Sequence, residues 1–307
     1  MTEKLRILLV GVGTMGNALW SAWQESGCVS TITGISPHLL DRDLKEGEFV
    51  YSSPEQIAHD AEFDAVVFAV KPQKLAEVLP LYHHLISKDT TILSIAAGKS
   101  TDFLRDNLGL SIEAPIIRAM PNTPCQINEG VIGCYADSNV SELHRKRAEQ
   151  LFSPTGMVFW VNDENKMHAV TAVSGSGPGF VDAFMEECEQ NGMNHDDAIQ
   201  QVLNAVNGQE DIRAAEFLRA YQHAAMAQDF ADSDLTAIIA CKVFEGTAKL
   251  ALKENTKTFG QLREAVTSPN GTTAAGLGVW NAMKNKDLIE RTQGTINAAR
   301  MRSIELS

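Results

Sequence analysis

Residues 6–20, RILLVGVGTMGNALW, constrain the fold more than any other stretch. Residues 6–10 form a short apolar run, the pattern of a strand buried on both faces of a parallel sheet. The run feeds directly into Gly11, Gly13 and Gly16, spaced as G-x-G-x-x-G, and then into a helical pattern. The order has a physical logic. The first glycine allows a tight turn, and the second lets backbone approach a pyrophosphate. The third lets the helix pack close to the sheet, with its N-terminus facing the phosphates. The stretch predicts an α/β domain with a dinucleotide site at its amino end.

The residues that follow repeat the alternation. Residues 30–35, 65–70, 90–97 and 115–121 read as strands, with helices over 14–26, 73–87 and 101–108 between them. Residues 131–136, 141–156 and 157–161 extend the pattern. Alternation of this kind implies a Rossmann-type doubly wound sheet. From about residue 163 the strand signal stops and the chain reads as all-α. Asn194 and Asp287 are placed to cap helices, and Thr258 with Gln261 forms a capping-box pattern. Ile212, Ala215, Leu218, Tyr221 and Ala225 fall near one helical face. The predicted division is a nucleotide-binding domain over 1–162 and a helical domain over 163–307.

Composition narrows the partners. The chain has 307 residues, a length suited to roughly two domains. Its net charge of −13 argues against binding a phosphate backbone or anionic lipid. Small anions remain possible ligands, because helix N-termini hold them locally. The five cysteines are odd in number, widely spaced and lack a C-x-x-C, so neither a disulfide framework nor a metal site is expected. No stretch reaches the ~18 apolar residues of a membrane span, and residues 1–13 lack the length and cleavage site of a signal peptide. A soluble cytoplasmic protein is expected.

The choice of nucleotide turns on the residue about 20 positions past the third glycine, where an acidic side chain would bind the ribose 2′-hydroxyl of NAD. That position is Ser36, with His38 and Arg42 close behind it. A hydroxyl and nearby cations favour a 2′-phosphate, so NADP(H) is expected ahead of NAD(H), with both left open. Two more loops follow strands and line the same edge: Val70, Lys71 and Pro72, then Ala96, Ala97 and Gly98.

Six segments then converge. GVGTMGNAL, AVKPQ, SIAAGKS, AMPNTPCQINEG, AVTAVSGSGPGF and VTSPNGTTAAGL occur in that order. Together they resemble pyrroline-5-carboxylate reductase, over residues 5–305. The resemblance implies an NAD(P)H-binding Rossmann domain, a helical domain that builds an intertwined homodimer, further assembly into decamers, and an active site at the dimer interface. It implies that Gly11, Val12, Gly13, Thr14, Met15, Gly16 and Ser36 hold the adenosine phosphates, with Val70, Lys71 and Pro72 close by. Ala97, Gly98 and Asn122 would lie near the nicotinamide. Ser268, Gly271, Thr272 and Thr273 would bind the carboxylate and imine of 1-pyrroline-5-carboxylate. The stretch from Ser174 to Pro178 would open the helical domain near the nicotinamide, with Ser174 counted among the substrate contacts. Two departures stand out. Asn270 replaces a glycine of the family pattern; Asn is among the residues most tolerant of positive φ, so the turn is expected to survive. The interval between SGSGP and SPNGTT is also longer than the family norm, and residues 192–232 read as an extra helical segment, expected at the periphery.

The chemistry so implied is spare. Reducing a cyclic imine requires a positioned hydride donor, an anchor for the carboxylate and a proton for the ring nitrogen. The expected anchor is the set of backbone N–H groups of residues 271–273 at a helix N-terminus, helped by the Ser268 hydroxyl. Thr273 is expected to hydrogen-bond the imine nitrogen. His168 and Cys125 read as structural, since hydride transfer needs neither. Two alternatives stay open on the residues alone: an NADP-linked reductase of another imine or a 2-hydroxy acid, and a non-catalytic nucleotide-binding relative.

Overall fold

The computed structural model describes residues 3–37, 43–210 and 212–307. The chain groups into two compact units. The first comprises residues up to Ala119 together with Cys134–Glu164, and the second Met120–Gly133 with Asn165–Ser307. Residues 120–133, which the sequence pattern attached to the sheet domain, therefore group with the helices.

The sheet and its flanking helices are β1 (Leu5–Val10), α1 (Thr14–Ser26), β2 (Val29–Ile35), β3 (Glu48–Tyr51), β4 (Ala65–Phe68), α2 (Leu75–Val78), β5 (Thr91–Ser94), α3 (Thr101–Leu108), β6 (Ile116–Met120), β7 (Gly130–Ala136), α4 (Glu142–Phe152) and β8 (Gly156–Val161); all lie in the first unit except the end of β6 and the start of β7. The strands form one sheet in the order β3-β2-β1-β4-β5-β6-β7-β8. The pairs from β3 through β6 are parallel, with Leu8 opposite Thr33 on one side and Val66 on the other. The order 3-2-1-4-5-6 is that of a dinucleotide-binding sheet, whose switch point lies between β1 and β4. Ile7, Leu8, Leu9, Val66, Val67, Ile92 and Leu93 are all sealed from solvent, as a sheet covered on both faces requires. Each such side chain contributes roughly 1.5–3 kcal/mol by its burial. Trp23 of α1 is also sealed, and its indole N–H donates to the Leu151 carbonyl at 2.7 Å.

Two local expectations fail for identifiable reasons. The helix predicted over 73–87 is broken into a 3₁₀ turn at Pro72–Lys74, the single turn of α2, and a second 3₁₀ segment at Leu79–Leu85. Pro80 lies inside that stretch and has no N–H for an α-helical bond. Strand β3 lies outside the predicted strands: it is four residues long, sits at the sheet edge and carries no fully buried side chain.

The second unit holds α5 (Lys166–Val170), α6 (Gly177–Gln190), α7 (His195–Val206), α8 (Arg213–Met226), α9 (Ser233–Lys253), α10 (Phe259–Ala265), α11 (Thr272–Ala282) and α12 (Leu288–Glu305). A single π-turn, Thr171–Gly175, joins α5 to α6. The caps read from the sequence are formed: Asn194 and Asp287 accept backbone N–H groups, and Thr258 with Gln261 completes a capping box. Ile212 is the residue preceding α8 and is only half-buried, whereas Ala215, Leu218, Tyr221 and Ala225 face inward.

Residues 192–232, expected at the periphery, supply the middle of the helical core. Phe217 of α8 is sealed and lies within ring-contact distance of Phe184 (4.6 Å), Phe244 (5.0 Å) and Trp280 (5.2 Å). Each such pair is worth about 0.5–1.5 kcal/mol beyond its buried area. Helix α8 packs on both α9 and α12. The amphipathic pattern of α8 showed that it had an apolar face, but not how central that face would be.

Candidate active site

The glycine turn between β1 and α1 has the construction its spacing implies. Gly11 lies at φ 95°, and its N–H donates to the Ile35 carbonyl at 2.9 Å. A Cβ added at Gly11 would come within 2.8 Å of both the Ala69 carbonyl oxygen and the Val70 side chain. A Cβ at Gly16 would lie 2.1 Å from the Gly11 carbonyl oxygen, so the start of α1 is pressed onto the turn. Gly13 is different: a Cβ there meets no protein atom within 4 Å. Gly13 also precedes α1 with no side-chain cap and no acidic residue in the first turn. Among the described residues, the N–H groups of Thr14, Met15 and Gly16 have no acceptor, the first helical bond running from Asn17 to Gly13. Free N–H groups, a helix dipole and open space in front of Gly13 make a site for a phosphate-bearing ligand.

The other expected cofactor residues line up along the strand ends. Val12 is buried, Val70 packs into the core below the turn, and Lys71 is exposed ahead of Pro72. Ser36 directly follows β2, is buried and donates its N–H to Tyr51. His38 and Arg42 lie outside the described residues. Gly98 is left-handed (φ 71°) and Ala97 half-buried, in the loop before α3. That loop is fixed from behind. Ser100 caps α3 by accepting the Phe103 N–H, and the Thr101 N–H donates to Glu164 at 2.7 Å. Arg118, buried in β6, holds the same carboxylate at 3.0 Å.

In the second unit two elements meet, the SGSGP stretch and the SPNGTT turn. In the π-turn the Ser176 N–H donates to the Thr171 carbonyl at 2.8 Å. Pro178 has no N–H to offer the Ser174 carbonyl, and the Asn122 side chain donates to it instead, at 3.3 Å. Asn122 also accepts from the Val131 N–H (2.9 Å), and the Ser174 hydroxyl donates to the Val131 carbonyl (3.2 Å). Asn122 and Ser174 are both buried. The structure thus commits the Ser174 hydroxyl to the backbone, a brace for the π-turn where a substrate contact was expected. Cys125 is buried and His168 is tied to Ser303 at 3.0 Å, so both have structural roles.

The turn at 268–271 has Pro269 in its second position and Asn270 at φ 58° in its third, closed by the Gly271 N–H donating to Ser268 at 3.0 Å. These are the marks of a type II turn. Asn270 therefore adopts the left-handed conformation that the family glycine would, and its carbonyl accepts from Arg302 at 2.8 Å. A Cβ at Gly271 would lie 2.2 Å from the Ser268 hydroxyl oxygen. Because the Gly271 N–H closes the turn, it is unavailable to a ligand. The unpartnered donors at the start of α11 are the N–H groups of Thr272, Thr273 and Ala274, a shift of one residue from the expected 271–273. The Ser268 and Thr273 hydroxyls also lack hydrogen-bond partners among the described residues. Thr273 is buried with its methyl against Gly179. Thr272 is joined to Ser176 through their hydroxyls at 3.0 Å, which couples the turn to the SGSGP stretch. Sequence reasoning gave no individual role to Ser176, although Pro178 marked the place where the helix would need an outside donor.

The chain is similar to known proteins along its length. The family described as "Pyrroline-5-carboxylate reductase dimerisation" matches residues 164–215 and 213–306, two segments that meet inside α8. The family described as "NADP oxidoreductase coenzyme F420-dependent" matches residues 6–98. The pyrroline-5-carboxylate reductase of Pseudomonas aeruginosa is 31% identical, covering 98% of this chain and 97% of its own. That of Haemophilus influenzae is 32% identical, covering 95% and 94%. A solved structure of a pyrroline-5-carboxylate reductase from Coxiella burnetii is 27% identical, covers 99% of both chains and superposes with a TM-score of 0.60. Among the described residues no helix is long and apolar enough to cross a membrane, and no group of three or more His, Cys, Asp or Glu side chains is placed to hold a metal ion.

Proposed function

Because the chain belongs to the pyrroline-5-carboxylate reductase family, we propose that it reduces 1-pyrroline-5-carboxylate to L-proline with NADPH, the last step of proline synthesis. The observation that carries this reading is the pair of helix N-termini with unpartnered N–H groups, one opening α1 and the other α11. In a chain of net charge −13, each offers a local positive end to an anion.

The two sites suit different anions. At α1 the N–H groups of Thr14, Met15 and Gly16 receive the pyrophosphate, and Gly13 leaves room for it. Ser36 lies at the end of β2, where a carboxylate would repel a 2′-phosphate, and this favours NADPH. Val70, Lys71, Pro72, Ala97, Gly98 and Asn122 complete the cofactor contacts. When bound, the nicotinamide supplies the hydride. At α11 the N–H groups of Thr272, Thr273 and Ala274 and the Ser268 hydroxyl hold the substrate carboxylate, a contact of the charge-assisted kind worth about 1.5–3 kcal/mol for each hydrogen bond. The Thr273 hydroxyl accepts from the protonated ring nitrogen and so favours the iminium, the better hydride acceptor. Holding the ring in one pose supplies the orientation on which such a transfer depends.

The proposed division of labour assigns the cofactor to residues 1–162 and self-association as a cytoplasmic homodimer to residues 163–307. Thr273→Ala is the direct test. It is expected to lower kcat/KM for 1-pyrroline-5-carboxylate by about tenfold or more, the loss of one hydrogen bond to a charged group. The dissociation constant for NADPH should stay within twofold. Unchanged turnover would remove Thr273 from the mechanism.

A further inference from the structure

We infer that Tyr221, on helix α8, is a positioning residue for the substrate end of the site, acting through the π-turn at Thr171–Gly175. The inference rests on the function proposed above for its kinetic readout, but not for its geometry.

Tyr221 is sealed from solvent, with its ring against Phe217 and Phe244. Its hydroxyl donates to the Val173 carbonyl, inside the π-turn. A π-turn departs from the regular helical ladder and is held by whatever outside partners its backbone finds. Here the outside donors are side chains. Asn122 serves the Ser174 carbonyl and Tyr221 serves its neighbour, Val173. The same turn carries Ser176, whose hydroxyl meets Thr272 at the start of α11. A continuous path of contacts thus runs from α8 to the N–H groups that receive the carboxylate: Tyr221 to Val173, along the turn to Ser176, and across to Thr272.

The fit around Tyr221 is close. A Cβ at Gly177 would lie 2.5 Å from the Tyr221 hydroxyl oxygen and 2.7 Å from Val243. Glycine at 177 is therefore what lets the hydroxyl approach the turn. Helix α8 lies in residues 192–232, the segment read as extra on the sequence, and none of the motifs quoted for the family resemblance includes Tyr221. The helix that fills the core also reaches the backbone on which the site is built.

The experiment is Tyr221→Phe in the full-length protein, which deletes one oxygen and keeps the ring packing. Three quantities are read: amide hydrogen exchange by mass spectrometry, KM for 1-pyrroline-5-carboxylate, and the dissociation constant for NADPH. Exchange is expected to accelerate by about tenfold over residues 171–177 and at Ala275 and Gly276, the first bonded N–H groups of α11, the equivalent of one lost hydrogen bond. Exchange over residues 245–253 should stay as in wild type, KM for the imine should rise by a similar factor, and NADPH binding should not change. A merely structural tyrosine would speed exchange uniformly, or only within α8, and leave KM alone; that result overturns the inference. Gly177→Ala supplies the second variant. Its effect on exchange over 171–177 should be smaller in the Tyr221→Phe background, where the clashing oxygen is gone, and strictly additive effects would contradict the contact. If wild type fails to reduce 1-pyrroline-5-carboxylate, the proposed function falls while the exchange pattern still decides the role of Tyr221 in holding the turn.

Discussion

Gly13 and Gly16 make a discriminating pair, because a methyl group added at either meets different surroundings. At Gly16 the new Cβ would lie 2.1 Å from the Gly11 carbonyl oxygen, 3.2 Å from its carbonyl carbon and 3.5 Å from the Ala69 side chain. Ordinary contact is about 3.5 Å, so α1 must retreat from the glycine turn by roughly 1.4 Å. Overpacking of this kind costs about 1–3 kcal/mol, offset by the roughly 0.5–1 kcal/mol that alanine gains over glycine in a helix. Gly16→Ala should therefore lower Tm by a few degrees, at roughly 2–4 °C per kcal/mol for a domain this size. It should also weaken NADPH, because the N–H groups assigned above to the pyrophosphate move with the helix. At Gly13 the new Cβ meets nothing within 4 Å and the backbone is extended at φ −81°. Gly13→Ala should leave Tm unchanged. If the open space is where the pyrophosphate lies, NADPH affinity should still fall by about tenfold or more, the loss of one hydrogen bond to a charged group. Fluorescence titration of NADPH together with thermal melts reads both quantities. An unchanged NADPH affinity in Gly13→Ala would show that the space before Gly13 is not the phosphate site.

Two further outcomes follow from the helical unit. Asn270→Gly should keep the turn and the KM, whereas Asn270→Ala places an ordinary residue at φ 58° at a cost of about 1–2 kcal/mol, and should lower Tm and raise KM for the imine; equal KM values for the two variants would contradict this. Asp182 on α6 is buried, and desolvation raises its pKa well above the ordinary value, opposed by Arg263 and reinforced by Glu186. One of its oxygens has no hydrogen-bond partner. The unfolded chain loses this proton near 3.8 while the folded chain keeps it, so the residue weakens folding increasingly as pH rises from there to the folded value. Asp182→Asn should therefore melt higher than wild type at about pH 7, with the difference closing towards pH 4; a difference independent of pH would refute the assignment.

Much of the fold is legible in the residues themselves. Strands such as β1 and β4 announce themselves because burial on both faces demands unbroken apolar runs, and α1 because its glycines have no other economical use. The caps at Asn194, Thr258 and Asp287 are equally direct, since a single side chain satisfies a nearby N–H. Other features depend on distant partners and leave no local trace. Pro178 withholds a donor from the Ser174 carbonyl, but which groups serve the carbonyls of the π-turn, Asn122 and Tyr221, is a tertiary matter. Phe217 looks like any residue on an amphipathic face until the rings around it are placed. The one-residue shift in the unpartnered N–H groups, from 271–273 to 272–274, follows from a turn hydrogen bond that spacing alone does not reveal.

The central claim is a reaction, and the most direct test of it is steady-state oxidation of NADPH by the purified protein with 1-pyrroline-5-carboxylate, with proline formation measured in the same samples and NADH run in parallel. One proline should form per NADPH consumed, with a higher kcat/KM for NADPH than for NADH. Absence of proline formation with either cofactor would contradict it.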